Sequence, residues 1–369
     1  MTELYGQSRR RNLYFPASRK KLWRSKGRIY ARREKVTNIA LLSAAHIHTK
    51  GYLEAVSKRD NCQLVALWDD MPERGARYAD NYGGEYSDDL KKVVEREDVD
   101  GFIICAENTR HLPLLQAAIP VGKPIFCEKP FTASAEDAAA ALRLIREHST
   151  IVHMGYFQPF SDVMRGVASV LEHGTLGTIT HARFRNAHHA AYGHWFDSDD
   201  LAWFYDPELA GGGAFMDMGT HAVHLLRTLM GPVARVSASI GNASGIYEQV
   251  DDHGIALFNF TNGVLGTVEA SWVQTGGIGG LELTGSEGTL YNDPQQGYII
   301  AAPGKDAIPV EKGEARPTQV ERLMAAIEGT LSAEELAVDL QCAADAVAIV
   351  ESCYKSNRDG AWAEVRTFA

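Results

Sequence analysis

Thr37-Asn38-Ile39-Ala40-Leu41-Leu42-Ser43-Ala44-Ala45-His46-Ile47-His48 carries a short apolar run into a turn of small residues and histidines, and a helix candidate, residues 51–58, follows. The same alternation continues outward. Apolar runs at 63–68, 101–105, 124–126 and 151–154 are separated by helix candidates at 73–82, 90–95, 112–118 and 135–148. Short apolar strands divided by helices of about ten residues are the pattern of βαβ units around a parallel sheet buried on both faces. Residues 36–154 therefore read as a doubly wound, dinucleotide-type domain.

Beyond residue 155 the rhythm changes. A helix candidate at 161–173, a strand at 179–185 and a loop rich in His and Trp lead to a helix opening near Gly213. Strand candidates at 233–240, 254–260, 264–272, 280–284, 289–291 and 298–301 follow, with Thr261-Asn262-Gly263 as a hairpin turn. Residues 333–356 predict a closing helix that Gly360 stops. The expectation is an α/β chain of two domains, the second (155–369) an open, mainly antiparallel sheet with helices on one face. In 254–260, Ala256, Phe258 and Phe260 alternate on one side and Ile255 and Leu257 on the other, so both faces need cover. A second subunit on the outer face, giving a homodimer or homotetramer, is the expected solution.

Composition narrows the class. Apolar residues are 45% and charged residues 23% of the 369, which excludes a disordered or low-complexity chain. No run approaches the roughly 18 apolar residues of a membrane span. Residues 1–35 hold 12 of the 37 Lys/Arg and two of the 47 acids, leaving 25 basic and 45 acidic residues for an acidic body. Such a body does not suit nucleic acid. The arm opens like a twin-arginine signal at Ser8-Arg9-Arg10-Arg11-Asn12-Leu13 but lacks the apolar segment that export needs, and it is expected to be disordered, or untranslated if synthesis starts at the codon read as Val36. Five cysteines, odd in number and without a CxxC pair, point to the reducing cytosol.

The chemistry should sit at the carboxyl ends of the parallel strands. The first turn lacks all three glycines of GxGxxG: Ser43 and Ala45 stay small, while His48 stands for the third. Asp69, 26 residues after Ser43, lies near the spacing of a carboxylate that binds an adenosine ribose, and with Asp70 it would repel a 2′-phosphate, favouring NAD(H) over NADP(H). Ala106-Glu107-Asn108-Thr109-Arg110-His111 and Cys127-Glu128-Lys129-Pro130 follow the next two strands. Gly211-Gly212-Gly213 leads into Asp217-Met218-Gly219-Thr220-His221, where Asp217 and His221 are four apart.

The Glu128-Lys129-Pro130 segment, the glycine-led Asp217-x-Gly219-x-His221, the Gly174-Thr175-Leu176-Gly177 turn and the closing helix together resemble the Gfo/Idh/MocA oxidoreductases over residues 36–365. The resemblance implies a Rossmann domain, an open-sheet domain that assembles oligomers, a nicotinamide cofactor and a sugar, glycoside or cyclic polyol substrate. It implies Lys129, Asp217 and His221 as the catalytic set. Cofactor contacts are expected from Ser43, Ala45, His46, Ile47, Asp69, Ala106, Asn108, His111, Glu128 and Lys129. Tyr156, His188, Trp203, His221 and His224 are expected at the substrate, and no metal is expected. The chain departs from the family at the glycines, at His224 where an acid is usual, and at Pro159 where arginine is common.

Two other classes compete. A non-catalytic sensor of the same fold would explain the lost glycines. A metal hydrolase would use His46-x-His48, or Asp217, His221 and His224 along one helix, but it leaves Glu128-Lys129-Pro130 without a role.

Overall fold

Ile39, Ala40, Leu41 and Leu42 of strand β1 (Thr37–Leu42) have no exposed surface, as expected of a strand covered on both faces. The chain continues through α1 (Thr49–Ser57), β2 (Cys62–Trp68), α2 (Pro72–Tyr82), β3 (Glu85–Ser87), α3 (Leu90–Val94), β4 (Gly101–Ile104), α4 (His111–Ala118), β5 (Ile125–Cys127), α5 (Ala135–His148) and β6 (Val152–Met154). These six strands pair in parallel in the order β3-β2-β1-β4-β5-β6. This is the doubly wound order, whose reversal beside β1 opens a ligand crevice at the carboxyl ends of β1 and β4. The computed structural model describes residues 36–368, together with the backbone of two strands, Leu22–Ser25 and Arg28–Ala31, paired antiparallel. The expectation of disorder for the rest of residues 1–35 lies outside the described residues.

The second half contains α6 (Asp162–Glu172), β7 (Ile179–Ala187), α7 (Thr220–Met230), β8 (Val233–Gly241), β9 (His253–Phe260), β10 (Leu265–Ser271), β11 (Gly280–Gly285), β12 (Thr289–Asp293), β13 (Gly297–Ala301), β14 (Ile308–Pro309), α8 (Gln319–Ile327), α9 (Ala333–Asp359) and β15 (Ala363–Glu364). Its sheet runs β14-β13-β12-β11-β7-β10-β9-β8-β15 and is antiparallel except where β7 meets β10. Alternation fixes which side is buried: Ala256, Phe258 and Phe260 join the core with Val264, Val268 and Ala270, while Ile255, Leu257 and Leu265 remain about half exposed on the other face.

The expected break at residue 154 needs adjustment. Val320, Leu323 and Met324 of α8 pack against Ile39, Leu41 and Phe126 of the first sheet. In α9, Ala343, Ala344 and Val347 join the core of the first half, and Ala346, Ile349, Val350 and Cys353 that of the second. One long helix is thus apolar on two sides, because it separates two cores. It ends at Gly360, whose φ of 62° supplies the left-handed cap.

Candidate active site

Strand β5 ends at Cys127, so Glu128 and Lys129 emerge at the carboxyl edge of the first sheet, over the crevice. Glu128 is fully buried, and Gly155 makes room for it: a Cβ there would lie 1.9 Å from its Oε2. The Lys129 Nζ donates to Asp217 Oδ1 at 2.6 Å, joining the two halves of the chain. Asp217 lies in the π-helical turn Phe215–Gly219. At the start of that turn, Gly213 and Phe215 donate their N–H groups to the Asp251 carboxylate at 2.9 and 2.7 Å, and a Cβ on Gly213 would meet the Asp251 carbonyl oxygen at 1.9 Å. The glycine run is therefore a close-approach device that seats Asp217. The second oxygen of Asp217 accepts from Trp272 Nε1 at 3.0 Å. Burial raises the Asp217 pKa, but the Lys129 ammonium and the hydrogen bonds from Lys129 and Trp272 outweigh it and hold the pKa well below the usual carboxylate range.

His221 opens the helix that follows, with its ring edge-on to Tyr156 and Phe157. The Asp217 carboxylate bonds Lys129 and Trp272, and His221 lies beside it in the same cavity. Burial first, and then the charge of Lys129, push the His221 pKa well below the ordinary imidazole value. Lys129, Asp217 and His221 line one cavity of about 290 Å³ with His46, His48 and His188, walled by Phe157, Phe196, Phe204 and Met218. That volume suits a monosaccharide-sized group and is below the roughly 300–1,000 Å³ of larger ligand pockets.

At the first turn, Ser43 adopts φ 67°, the left-handed conformation that a glycine would take there, and its N–H donates to the Trp68 carbonyl at 2.7 Å. Asp69 has no exposed surface. Its carboxylate accepts from the Ala44 and Met71 N–H groups at 2.7 and 2.8 Å and from Arg74 Nε at about 3.0 Å. The expected ribose contact of Asp69 is thus replaced by an internal network. Arg74 and Arg110 also pair with Asp70. Glu128 is engaged likewise: Oε1 with His48 Nδ1 at 2.5 Å, and Oε2 with the Tyr52 hydroxyl and the Lys129 N–H at 3.2 and 3.0 Å.

A segment of the second half lies across this crevice. Trp203 donates its indole N–H to the Ala45 carbonyl at 3.0 Å, and its ring, with that of Phe204, packs beside His46. Asn108 Nδ2 donates to the Ala210 carbonyl at 2.8 Å, Thr109 Oγ1 to that of Glu208 at 3.0 Å, and Arg77 pairs with Asp200. Ser43, Ala45, His46, Ala106, Asn108 and His111 are all buried, while Ile47 remains exposed. The His111 ring nitrogens lie 2.7 and 3.2 Å from the Pro130 and Ala106 carbonyls. The residues at the cavity fit the reacting end of a nicotinamide cofactor and a hydroxylated substrate. Over the first turn, Trp203 and Phe204 lie against Ala45 and His46.

Three expected substrate residues also sit elsewhere. Trp203 belongs to the cover. The Tyr156 hydroxyl bonds Thr220 Oγ1 at 2.6 Å, and its ring stacks on His224 at 3.8 Å, burying both away from the cavity. His224 points instead toward Asp339, 3.9 Å away, so the helical trio Asp217, His221 and His224 does not assemble as a ligand set. His188 does line the cavity. Sequence reading missed Trp272 and Asp251; the first follows the end of β10 and the second lies in a loop, and each acts through a residue 36 or more positions away.

Comparison with known proteins bears on this geometry. Residues 38–156 match the family model "Oxidoreductase family, NAD-binding Rossmann fold", and residues 164–291 match "GFO/IDH/MocA C-terminal domain". Inositol 2-dehydrogenase of Rhizobium meliloti is 26% identical over 307 residues, 78% of this chain and 88% of that protein. The 1,5-anhydro-D-fructose reductase of Ensifer adhaerens is 25% identical over 276 residues, 72% and 81% of the two chains. Among solved structures, an inositol dehydrogenase homologue complexed with NAD+ from Azotobacter vinelandii superposes with a TM-score of 0.76 at 20% identity, covering 90% of this chain and 98% of that one. No helix among the described residues is long and apolar enough to cross a membrane.

Proposed function

Since the chain belongs to the Gfo/Idh/MocA oxidoreductase family, its first half being the NAD-binding Rossmann domain, we propose that it is a dehydrogenase for a secondary hydroxyl of a sugar, glycoside or cyclic polyol, exchanging hydride reversibly with NAD. The observation that carries this reading is the convergence of Lys129, Asp217 and His221 on one cavity. When bound, the nicotinamide supplies the hydride acceptor. Lys129, held by Asp217, directs its ammonium at the substrate oxygen and stabilises the developing alkoxide. His221, neutral because it is buried, accepts the hydroxyl proton on an imidazole nitrogen. Phe157, Phe196 and Phe204 exclude water, and His188 offers a hydrogen bond to a further hydroxyl. Screening inositols, pyranoses and glycosides for NADH formation tests the assignment. A sensor of the same fold draws support from the covered first turn, and sugar binding without NADH formation would favour it.

The lowered pKa of His221 sets a pH dependence. A base works only when unprotonated, so the acid limb of kcat/KM falls where His221 gains its proton. The limb should therefore lie well below pH 6.5. A limb at or above that value, measured on the best substrate, would remove His221 from the role.

We further propose that two copies pair through the outer face of the large sheet, where Ile255, Leu257 and Leu265 are about half exposed. Light scattering should give a mass two or four times the 40.4 kDa of one chain, and Leu257→Asp should lower it to one. A wild-type mass of a single chain would exclude the assembly. The buried, unpaired cysteines suit a cytosolic location.

A further inference from the structure

A dinucleotide-type turn presents backbone N–H groups to an anion, and glycines allow the phosphate to approach. This turn presents side chains of the opposite preference. His46 Nδ1 lies 3.5 Å and His48 Nδ1 2.5 Å from the same atom, Glu128 Oε1. The ligand-capable atoms of the three residues all lie within 4.8 Å of one another. We propose that His46, His48 and Glu128 form a divalent transition-metal site, with zinc the ion of choice.

Four features support it. Two imidazoles and one carboxylate are a recurring donor set for such ions, and ligand-capable atoms within 4.8 Å of one another need only small side-chain adjustments to meet one ion at bond lengths of about 2.0–2.2 Å. Glu128 is fixed from behind by Tyr52 and the Lys129 N–H, as a ligating carboxylate requires. His46 is buried and lines the cavity; its Nδ1 accepts from the His48 N–H at 3.2 Å, and its Nε2 is left without a partner and open to a ligand. Finally, His48 is the exposed member at 42% of its side chain, so the ion has an entry route and positions open toward the cavity that holds Lys129 and His221. The His-x-His spacing thus marks a metal site completed by a residue 80 positions away, not by the helix that carries Asp217.

The site shares its cavity with Lys129 and His221, but its test needs no turnover. Full-length protein freed of metal by chelator is titrated with zinc alone by calorimetry, and with cobalt(II), whose visible absorption reports imidazole ligation. One ion per chain is expected. His48→Ala and Glu128→Gln should each weaken zinc binding at least tenfold, with circular dichroism unchanged, whereas His188→Ala, in the same cavity, should bind as wild type. Absence of stoichiometric zinc, or equal loss in His188→Ala, overturns the site. Zinc binding without NADH formation on any substrate would instead overturn the dehydrogenase.

Discussion

Lys129→Met should lower kcat on the best substrate by about 10³-fold, since it removes the only side-chain cation that lines the described cavity at the point where alkoxide charge would develop. The same substitution strands the buried Asp217, whose low pKa depends on that ammonium. Removing one partner of a buried pair costs about 3–5 kcal/mol at neutral pH. The sign follows from linkage. In the wild type, a depressed carboxylate pKa contributes stability that is present above the unfolded-state value and is lost as pH falls. In the variant the Lys129 contribution is gone and the Trp272 hydrogen bond and His188 are left to oppose burial, so the Asp217 pKa rises and the deficit shrinks as the pH is lowered and Asp217 takes a proton. Lys129→Met/Asp217→Asn removes both charges and should recover most of the stability in urea unfolding, but not the activity. Activity within tenfold of wild type in either variant would show that Lys129 does not serve the chemistry.

The second large effect concerns the cover. Trp203→Phe keeps the apolar ring and deletes the donor to Ala45, and Asn108→Ala deletes the bond to Ala210. Each hydrogen bond contributes about 0.5–1.5 kcal/mol to the closed form. If NAD enters only when the cover lifts, its apparent affinity is reduced by the closed fraction, and weakening closure returns it. The double variant should bind NADH about 10- to 100-fold more tightly than wild type, read from NADH fluorescence. Equal affinity would mean that the cofactor binds without displacing Asp200–Ala210.

Much of this was legible in the sequence because it is local. Buried strands announce themselves by continuous apolar runs, and the alternation in β9 correctly separates Phe258 and Phe260 inside from Ile255 and Leu257 outside. Lys129 and Asp217 stand out in the sequence because each sits in a contiguous motif, and the fold brings their side chains together. The cover escaped notice because its bonds join residues with no local pattern: Trp203 and Ala45 are 158 positions apart, Asn108 and Ala210 are 102. Trp203 read as a sugar-stacking residue since an aromatic in a His-rich loop has that chemistry whenever it faces a cavity, and only the tertiary fold decides that it faces Ala45. Asp69 was misplaced for a simpler reason. Arg74, five residues on, was visible, but its turn back across the strand end could not be read from spacing alone.

The helix shared between the two cores bears on how such a chain can be recombined. Residues 37–369 form a single compact unit, and the first sheet is covered by α8 on the face of Ile39, Leu41 and Phe126 and by α9 on the opposite face, both made last in the chain. A fragment ending at residue 154 would expose Ile39, Leu41 and Phe126 where α8 should lie. The nucleotide-type half is therefore not a transferable module. It can be exchanged with a relative's only if residues 319–359 travel with it, so shuffling within the family must exchange the two ends of the chain together or replace the middle as an insert.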